Sequence, residues 1–374
     1  MDYLRYYFGT TIVCIAILGF TQGGHWVWTG IGLLMPITLL DVLAKPDLKM
    51  RKINHPFIVN IPLYLHLFVM IALYAAFVNW VNTTVQATGS IPIIDIIGAV
   101  FSLGLLGAMP NVPVTHELLH RRDFGRYFAT LLGTFFLDPT RDVAHIHNHH
   151  INLATPEDSD TARRGEIIYT YMFRASFGSY KDFIHAEREM CKKTNKSIWS
   201  PSGRLVRAIT QVVVLVAVVT WFGGIYAMGM CIFALMLAKL FAEGFNYFQH
   251  NGLVRVIGKP YESRHIWNHL SYIIRPLAYE ISNHNDHHLD SYIPFYELKP
   301  NPDGPQGPSM FLSFNAALIP PIWFKFYAQP KLKEWDLTRA TPEERILARE
   351  ANKAAGWPDW IGEDIGEPID AAST

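Results

Sequence analysis

The chain has 374 residues, is half apolar, and balances 32 basic against 32 acidic side chains for no formal net charge. That balance excludes a global basic field for nucleic acid. The three cysteines, Cys14, Cys191 and Cys231, lack CxxC or CxxCH spacing, which excludes an internal rubredoxin-like, zinc-ribbon or c-type haem site.

Several apolar runs are long enough to cross a bilayer, and they set the class. Residues 6–20 form the first. No Ala-x-Ala cleavage site accompanies it, so it reads as a retained membrane helix and not a signal peptide. Thr21-Gln22-Gly23-Gly24-His25 breaks the run, and 26–43 resumes it, with Trp26 and Trp28 suited to an interface. Each half is short for a span of about 30 Å, and two crossings are expected in preference to a re-entrant hairpin. A basic loop follows at 45–52. Residues 57–81 form a third span, 82–90 a polar loop without Lys or Arg, and 91–109 a fourth span that runs into Pro110 and Pro113. Residues 111–204 are polar, with an amphipathic stretch at 126–137 suited to the membrane surface. Spans five and six, 208–222 and 225–241, are joined by Gly223-Gly224. A second polar region covers 244–374. Within it, 311–326 is apolar but split by Pro320-Pro321, and is expected at the interface, not across the membrane. Thr341-Pro342-Glu343-Glu344 is a capping box that starts a short helix ending near Ala355, stopped by Gly356.

The expected architecture is an all-α integral membrane protein, one domain over 1–374. It has about six transmembrane helices and a cytoplasmic helical cap made of 111–204 and 244–374. The loop at 45–52 is basic while 21–25, 82–90 and 223–224 have no Lys or Arg, so the positive-inside rule puts that loop and both termini in the cytoplasm. Spans four and six then end on the same side, and every histidine cluster follows one of those ends.

Four clusters carry the chemistry. His116 and His120 are spaced i, i+4; His145, His149 and His150 are spaced i, i+4, i+5; His284, His287 and His288 are spaced i, i+3, i+4; His250 closes Asn246-Tyr247-Phe248-Gln249-His250. On a helix, i, i+4 puts two rings on one face, about 5–6 Å apart at Cβ. A catalytic zinc takes three protein ligands. Nine imidazoles exceed that and fit two ions with four or five each. Solvated or self-satisfied histidines would explain any one of these, but not nine in four packets beside span ends. His147 breaks the pattern and is expected at the surface or behind the ligands. His25, His55 and His185 are isolated, and His66 is expected to be a hydrogen-bonded buried histidine within its span.

An all-imidazole set suits Fe, Cu, Zn or Ni, and two irons suit redox work on an apolar substrate. Bound imidazoles need acceptors for their N–H groups. Asp142 and Asp286 are the first choices, with Glu117, Glu243 and Glu280 behind them, and His265 and His269 could orient ligands. Three rival readings remain. His116-Glu117-Leu118-Leu119-His120 matches HExxH of zinc proteases, with Glu117 as base. Glu117–His120 and Glu262–His265 match the Glu-x-x-His of ferritin-like sites, which would leave most histidines idle. A metal transporter would need ionisable groups within several spans, and only Asp95 and His66 lie well inside them. Arg121, Arg122, Arg163 and Arg164 suit a solvated basic face better than a docking patch.

On these boxes the chain resembles the integral-membrane, histidine-rich di-iron oxygenases, which include alkane hydroxylases, fatty acid desaturases and sterol oxidases. Asn246-Tyr247-x-x-His250 followed by Asn251-Gly252 is similar to the alkane hydroxylase branch. Asp2 to Tyr7, His116 to Arg122, Gly244 to His250 and Ala351 to Pro358 together resemble the hydroxylases of xylene and p-cymene methyl groups. Ala144 and Asn148 stand where the branch carries Glu and Gly. The resemblance implies two non-haem iron ions and O2 as co-substrate. It also implies electrons from NADH through a separate flavin and iron–sulfur reductase, and oxidation of an aromatic methyl group to a benzylic alcohol. The location it implies is the bacterial inner membrane. Hydroxylation of alkanes or terpenes, or fatty acid desaturation, is the alternative on the same site.

Overall fold

The computed structural model describes residues 2–121 and 123–363; Arg122 and the last eleven residues of the expected cap, 364–374, lie outside the described residues. The described residues form helices and no strand, with two isolated bridges. In chain order the elements are α1 (Leu4–Gln22), α2 (Gly24–Leu43), α3 (Pro56–Thr88), α4 (Ile93–Ala108), α5 (Asn111–Leu119), α6 (Gly125–Gly133), α7 (Arg141–Ala144), α8 (Ile168–Thr194), α9 (Arg204–Asn246), α10 (His284–Leu289), α11 (Met310–Ala317), α12 (Gln329–Thr338) and α13 (Pro342–Ala354). Five stretches are long and apolar enough to cross a membrane: α1, α2, α3, the run Ile93–Leu119 that holds α4 and α5, and α9.

The fifth stretch doubles back on itself, giving two limbs. Its first residue, Arg204, pairs with Asp142, while Glu243 near its end accepts from Arg141 at 2.9 Å. A straight helix of 43 residues would hold its ends about 60 Å apart, so the chain must double back. It does so at Gly224 (φ 70°, ψ −167°). Gly23, between α1 and α2, has nearly the same conformation (φ 71°, ψ −170°), and there Arg5 and Asp2 of the first limb meet Asp47 and Arg51 beyond the second. Both tips use a backbone region that only glycine enters freely. Gly224→Ala should therefore cost about 1–3 kcal/mol through backbone strain alone, since an added Cβ there meets nothing within 4 Å. Gly229→Ala, inside the following limb and equally open, should be neutral or stabilising. Thermal unfolding in one detergent compares the two; equal midpoints would remove the strain argument.

The expected loop at 82–90 is instead helix: α3 continues to Thr88 and stops at Gly89, which is left-handed. Polarity alone did not break it, because the Thr83 and Thr88 hydroxyls fold back onto the carbonyls of Asn79 and Thr84 at 3.0 and 2.8 Å. At about 50 Å, α3 is longer than the hydrocarbon core it crosses. Its end lies level with the other tips: Asn82 donates to the Phe222 carbonyl, His25 meets Asp95, and Trp28 donates to the Ile94 carbonyl. At the opposite end Tyr6 bonds Glu280 and Arg5 bonds Asp47, and the four histidine clusters gather there, as the six-crossing topology requires.

The segment 311–326 is not one continuous helix. It breaks after α11 into a turn at Pro320–Trp323 and a π-helical turn at Phe324–Ala328. In α6, Ala129 and Leu132 are buried while Tyr127 and Leu131 are exposed, the two-sided pattern of a surface helix. The capping box forms as expected, Thr341 Oγ1 accepting from Glu344 N and Glu344 Oε2 from Thr341 N. Arg164 is not a solvated cation: it is buried in a two-point pair with Asp336, both contacts at 2.6 Å, and ties the cap to α12. Arg121 pairs with Glu117 and Asn60.

Candidate metal centre

Helix geometry brings the nine histidines into two groups. His116, His120, His145, His150 and His287 form one; His149, His250, His284 and His288 form the other. Within each group one nitrogen per ring lies within 4.8 Å of all the others. The partition depends on local winding. In α5 the i, i+4 pair shares one face. After α7 the chain winds as a π-helical turn over His145–His149, so His145 and His150, five apart, face the same group while His149 is turned to the other. In α10 His284 and His288 stay together and His287 projects to the first group. The groups adjoin, with rings of His145 and His149 at 5.0 Å and of His287 and His288 at 5.7 Å.

In each group three ring nitrogens converge on one point, more than one N–H···N pair can account for. His116 Nε2 lies 2.8 Å from His145 Nε2, His150 Nε2 3.1 Å from His145 Nε2, His250 Nε2 3.1 Å from His284 Nε2, and His288 Nε2 3.2 Å from His284 Nε2. Two nitrogens about 2.1 Å from one ion and roughly at right angles would be about 3.0 Å apart. Both ring nitrogens of His120 and the Nε2 of His287 are buried without a hydrogen-bond partner. Buried polar atoms are seldom left so, and a cation at the first focus would satisfy His287 Nε2 and one nitrogen of His120. Burial keeps the rings neutral and their lone pairs free, pulling His150 down to about 2 and His284 to about 3. The residues present therefore fit two metal ions.

His149 behaves differently. Burial lowers it, but the Asp158 carboxylate, 2.9 Å from Nδ1, outweighs that and raises it. Asp158 is itself buried and held by the Thr161 hydroxyl at 2.6 Å and the Asp160 amide at 2.9 Å. It fixes which nitrogen of His149 faces the site. Asp158→Asn should weaken metal affinity by about 10–100-fold, measured by chelator competition; an unchanged affinity would make this contact structural only.

The acceptors expected from the sequence are engaged elsewhere, each drawn to a stronger or nearer donor. Asp142 pairs with Arg204, Asp286 accepts from the Lys299 amide at 2.8 Å, and Glu117 pairs with Arg121 at 2.9 Å, which also occupies the base an HExxH protease would need. Glu280 binds Tyr6 and Arg275; Glu243 binds Lys239 and Arg141. The His265 ring bonds Glu344 at 2.7 Å and so faces the cap, and His269 Nδ1 bonds the Pro308 carbonyl at 2.6 Å. His147 is exposed; His66 is buried with neither nitrogen hydrogen-bonded, unlike the expectation. Asp158 was not singled out in the sequence, although Pro156-Glu157-Asp158-Ser159-Asp160 directly follows the second cluster and was the available signal.

A cavity of about 60 Å³ abuts both groups, lined by His116 and His145 from one and His284 from the other. Its remaining wall is mainly apolar, with Met109, Phe136, Phe245 and Met310, and with Asn246 and Gln249 among its polar groups.

Residues 93–301 match the fatty acid desaturase family model. The chain is 43% identical over 369 residues, 98% of its own length and 99% of the relative's, to the xylene/toluene monooxygenase hydroxylase component XylM of Pseudomonas putida. It is 29% identical to the alkane 1-monooxygenase of Acinetobacter baylyi over 65% of this chain and 64% of that one. To alkane 1-monooxygenase 1 of Alcanivorax borkumensis it is 25% identical, over 84% and 80%.

Proposed function

The chain belongs to the fatty acid desaturase family, on the branch of its membrane-bound monooxygenases, and from that we propose that it is the hydroxylase component of a multicomponent monooxygenase acting on the methyl groups of small aromatics such as toluene and xylene. The reaction consumes a methyl arene, O2, two electrons and two protons, and yields a benzylic alcohol and water. The observation that carries the reading is the gathering of nine imidazoles into groups of five and four against one apolar cavity.

Two iron ions, held by the nine histidines, would supply the activation of O2. The chain's own residues do the rest. Burial favours the unprotonated form of His150 and His284, and Asp158 holds His149 in one orientation. Phe136, Phe245 and Met310 give the cavity an apolar wall suited to a hydrocarbon. Electrons would come from a separate reductase, as in a relative named as a hydroxylase component; by the resemblance that reductase is a flavin and iron–sulfur protein fed by NADH, and the three unclustered cysteines agree with an external donor. The basic loop at 45–52 supports a cytoplasmic side for the centre and both termini at the inner membrane.

Incubation with p-xylene under 18O2 tests the reading. The expected product is a benzylic alcohol carrying the label. An unlabelled product, or an alkene from a fatty acid, would replace hydroxylation with desaturation or another chemistry.

A further inference from the structure

We propose that the cavity beside the histidines has two doors, and that the alcohol leaves past Met310 into a polar vestibule where His269 accepts its hydroxyl. The proposal rests on the hydroxylase reading above. At about 60 Å³ the cavity is too tight for a methyl arene unless wall side chains move. Two of its wall residues also line neighbouring spaces, and both are methionines, the most adaptable of apolar side chains. Met109 is shared with an apolar gap of about 10 Å³ between α1, α2 and α4, walled by Ile12, Leu34 and Leu106. Met310 is shared with a vestibule of about 350 Å³.

The two spaces differ in chemistry. The gap beyond Met109 lies among the spans and offers no polar side chain. The vestibule contains Asp41, His269, Ser271 and Ser309, and it opens beside exposed Leu48, just past the end of α2. Asp41 is engaged by the hydroxyls of Ser271 and Ser309. His269 is not fully engaged. It is 3% exposed, its Nδ1 meets the Pro308 carbonyl at 2.6 Å, and its Nε2 has no partner. A carbonyl only accepts, so Nδ1 carries the proton and Nε2 is left as an acceptor. The ring is held by its neighbour: a Cβ on Gly307 would lie 2.3 Å from His269 Cε1. A methyl arene has no O–H to give; its alcohol has one. His269 Nε2 thus offers the O–H of the product an acceptor that the hydrocarbon cannot use, beside the engaged Asp41, Ser271 and Ser309.

Two measurements on iron-loaded protein in nanodiscs test this. First, binding of 4-fluorobenzyl alcohol and 4-fluorotoluene is followed by 19F NMR. His269→Leu should weaken the alcohol about 10-fold, the worth of one hydrogen bond, and change the hydrocarbon far less. Equal weakening of both, or of neither, overturns the site. Second, Met310→Phe narrows the exit. With the reductase supplied, kcat should fall several-fold more than kcat/KM, with a burst of alcohol in the first turnover, because release follows the committed step. A parallel fall without a burst makes Met310 a wall residue and overturns the exit. If wild-type protein forms no alcohol while alcohol binding still depends on His269, the hydroxylase reading fails and the vestibule stands.

Discussion

Alanine at His287 should strip the centre of metal and lower hydroxylation by more than 100-fold, beyond the 10–100-fold typical of losing an outer partner. The residue sits on α10 between two histidines of the four-membered group, yet its own ring belongs to the group of five. Its Nε2 is buried and has no hydrogen-bond partner, and an ion held with the other four rings would satisfy it. Ligand loss also lowers the free energy that metal binding adds to folding, so metal content and activity should fall together. His147→Ala is the control, because His147 is exposed and belongs to neither group. Iron per chain and turnover measured on both variants decide it. Full iron with full activity in the His287 variant would defeat its assignment as a ligand.

The second large effect is structural. Arg141→Met should destabilise the protein by about 3–5 kcal/mol, the cost of leaving buried charge unpaired. Arg141 lines the cavity and reaches Asp160 at 2.8 Å, Glu243 at 2.9 Å and Asp138 at 3.7 Å. Lys239 neutralises Asp138 and Glu243 from the other side, at 2.6 and 2.7 Å. Removal of Arg141 leaves three carboxylates facing one ammonium. Asp160 is the exposed point of this balance. Burial pushes it up to about 6 even with Arg141 pulling it down, so without the guanidinium it takes up a proton nearer neutral pH. Asp160→Asn combined with Arg141→Met should recover part of the loss, and unfolding curves from pH 6 to 8 should diverge least for the double variant. A loss under about 1 kcal/mol would mean that water or the remaining lysine compensates.

These two residues also mark what a linear reading reaches. His287 was identifiable because ligand spacing on a helix is a local property. So were Gly224 and the capping box at Thr341, where two or four residues determine the backbone. The π-helical turn at His145–His149 was not visible, because an i, i+4, i+5 pattern fits an α-helix equally well; the winding sends His150, not His149, to the group of His145. Outer partners are the least local feature. Asp142 and Asp286 are the nearest carboxylates in the chain, but proximity in sequence does not aim a side chain, and Arg204 and the Lys299 amide reach them instead. Asp158 reaches His149 because the chain folds back after the cluster, with the Ala154 amide bonded to Thr161. The helix beyond Asn82 was missed for a simpler reason: its threonines satisfy themselves on the preceding turn and stay helical despite their polarity.

The most direct test of the central claim is metal stoichiometry on the purified full chain in nanodiscs, with iron and zinc quantified per chain. Groups of five and four imidazoles predict close to two irons and little zinc. One zinc and no iron would contradict the di-iron account and return the HExxH segment to consideration as a single-metal site.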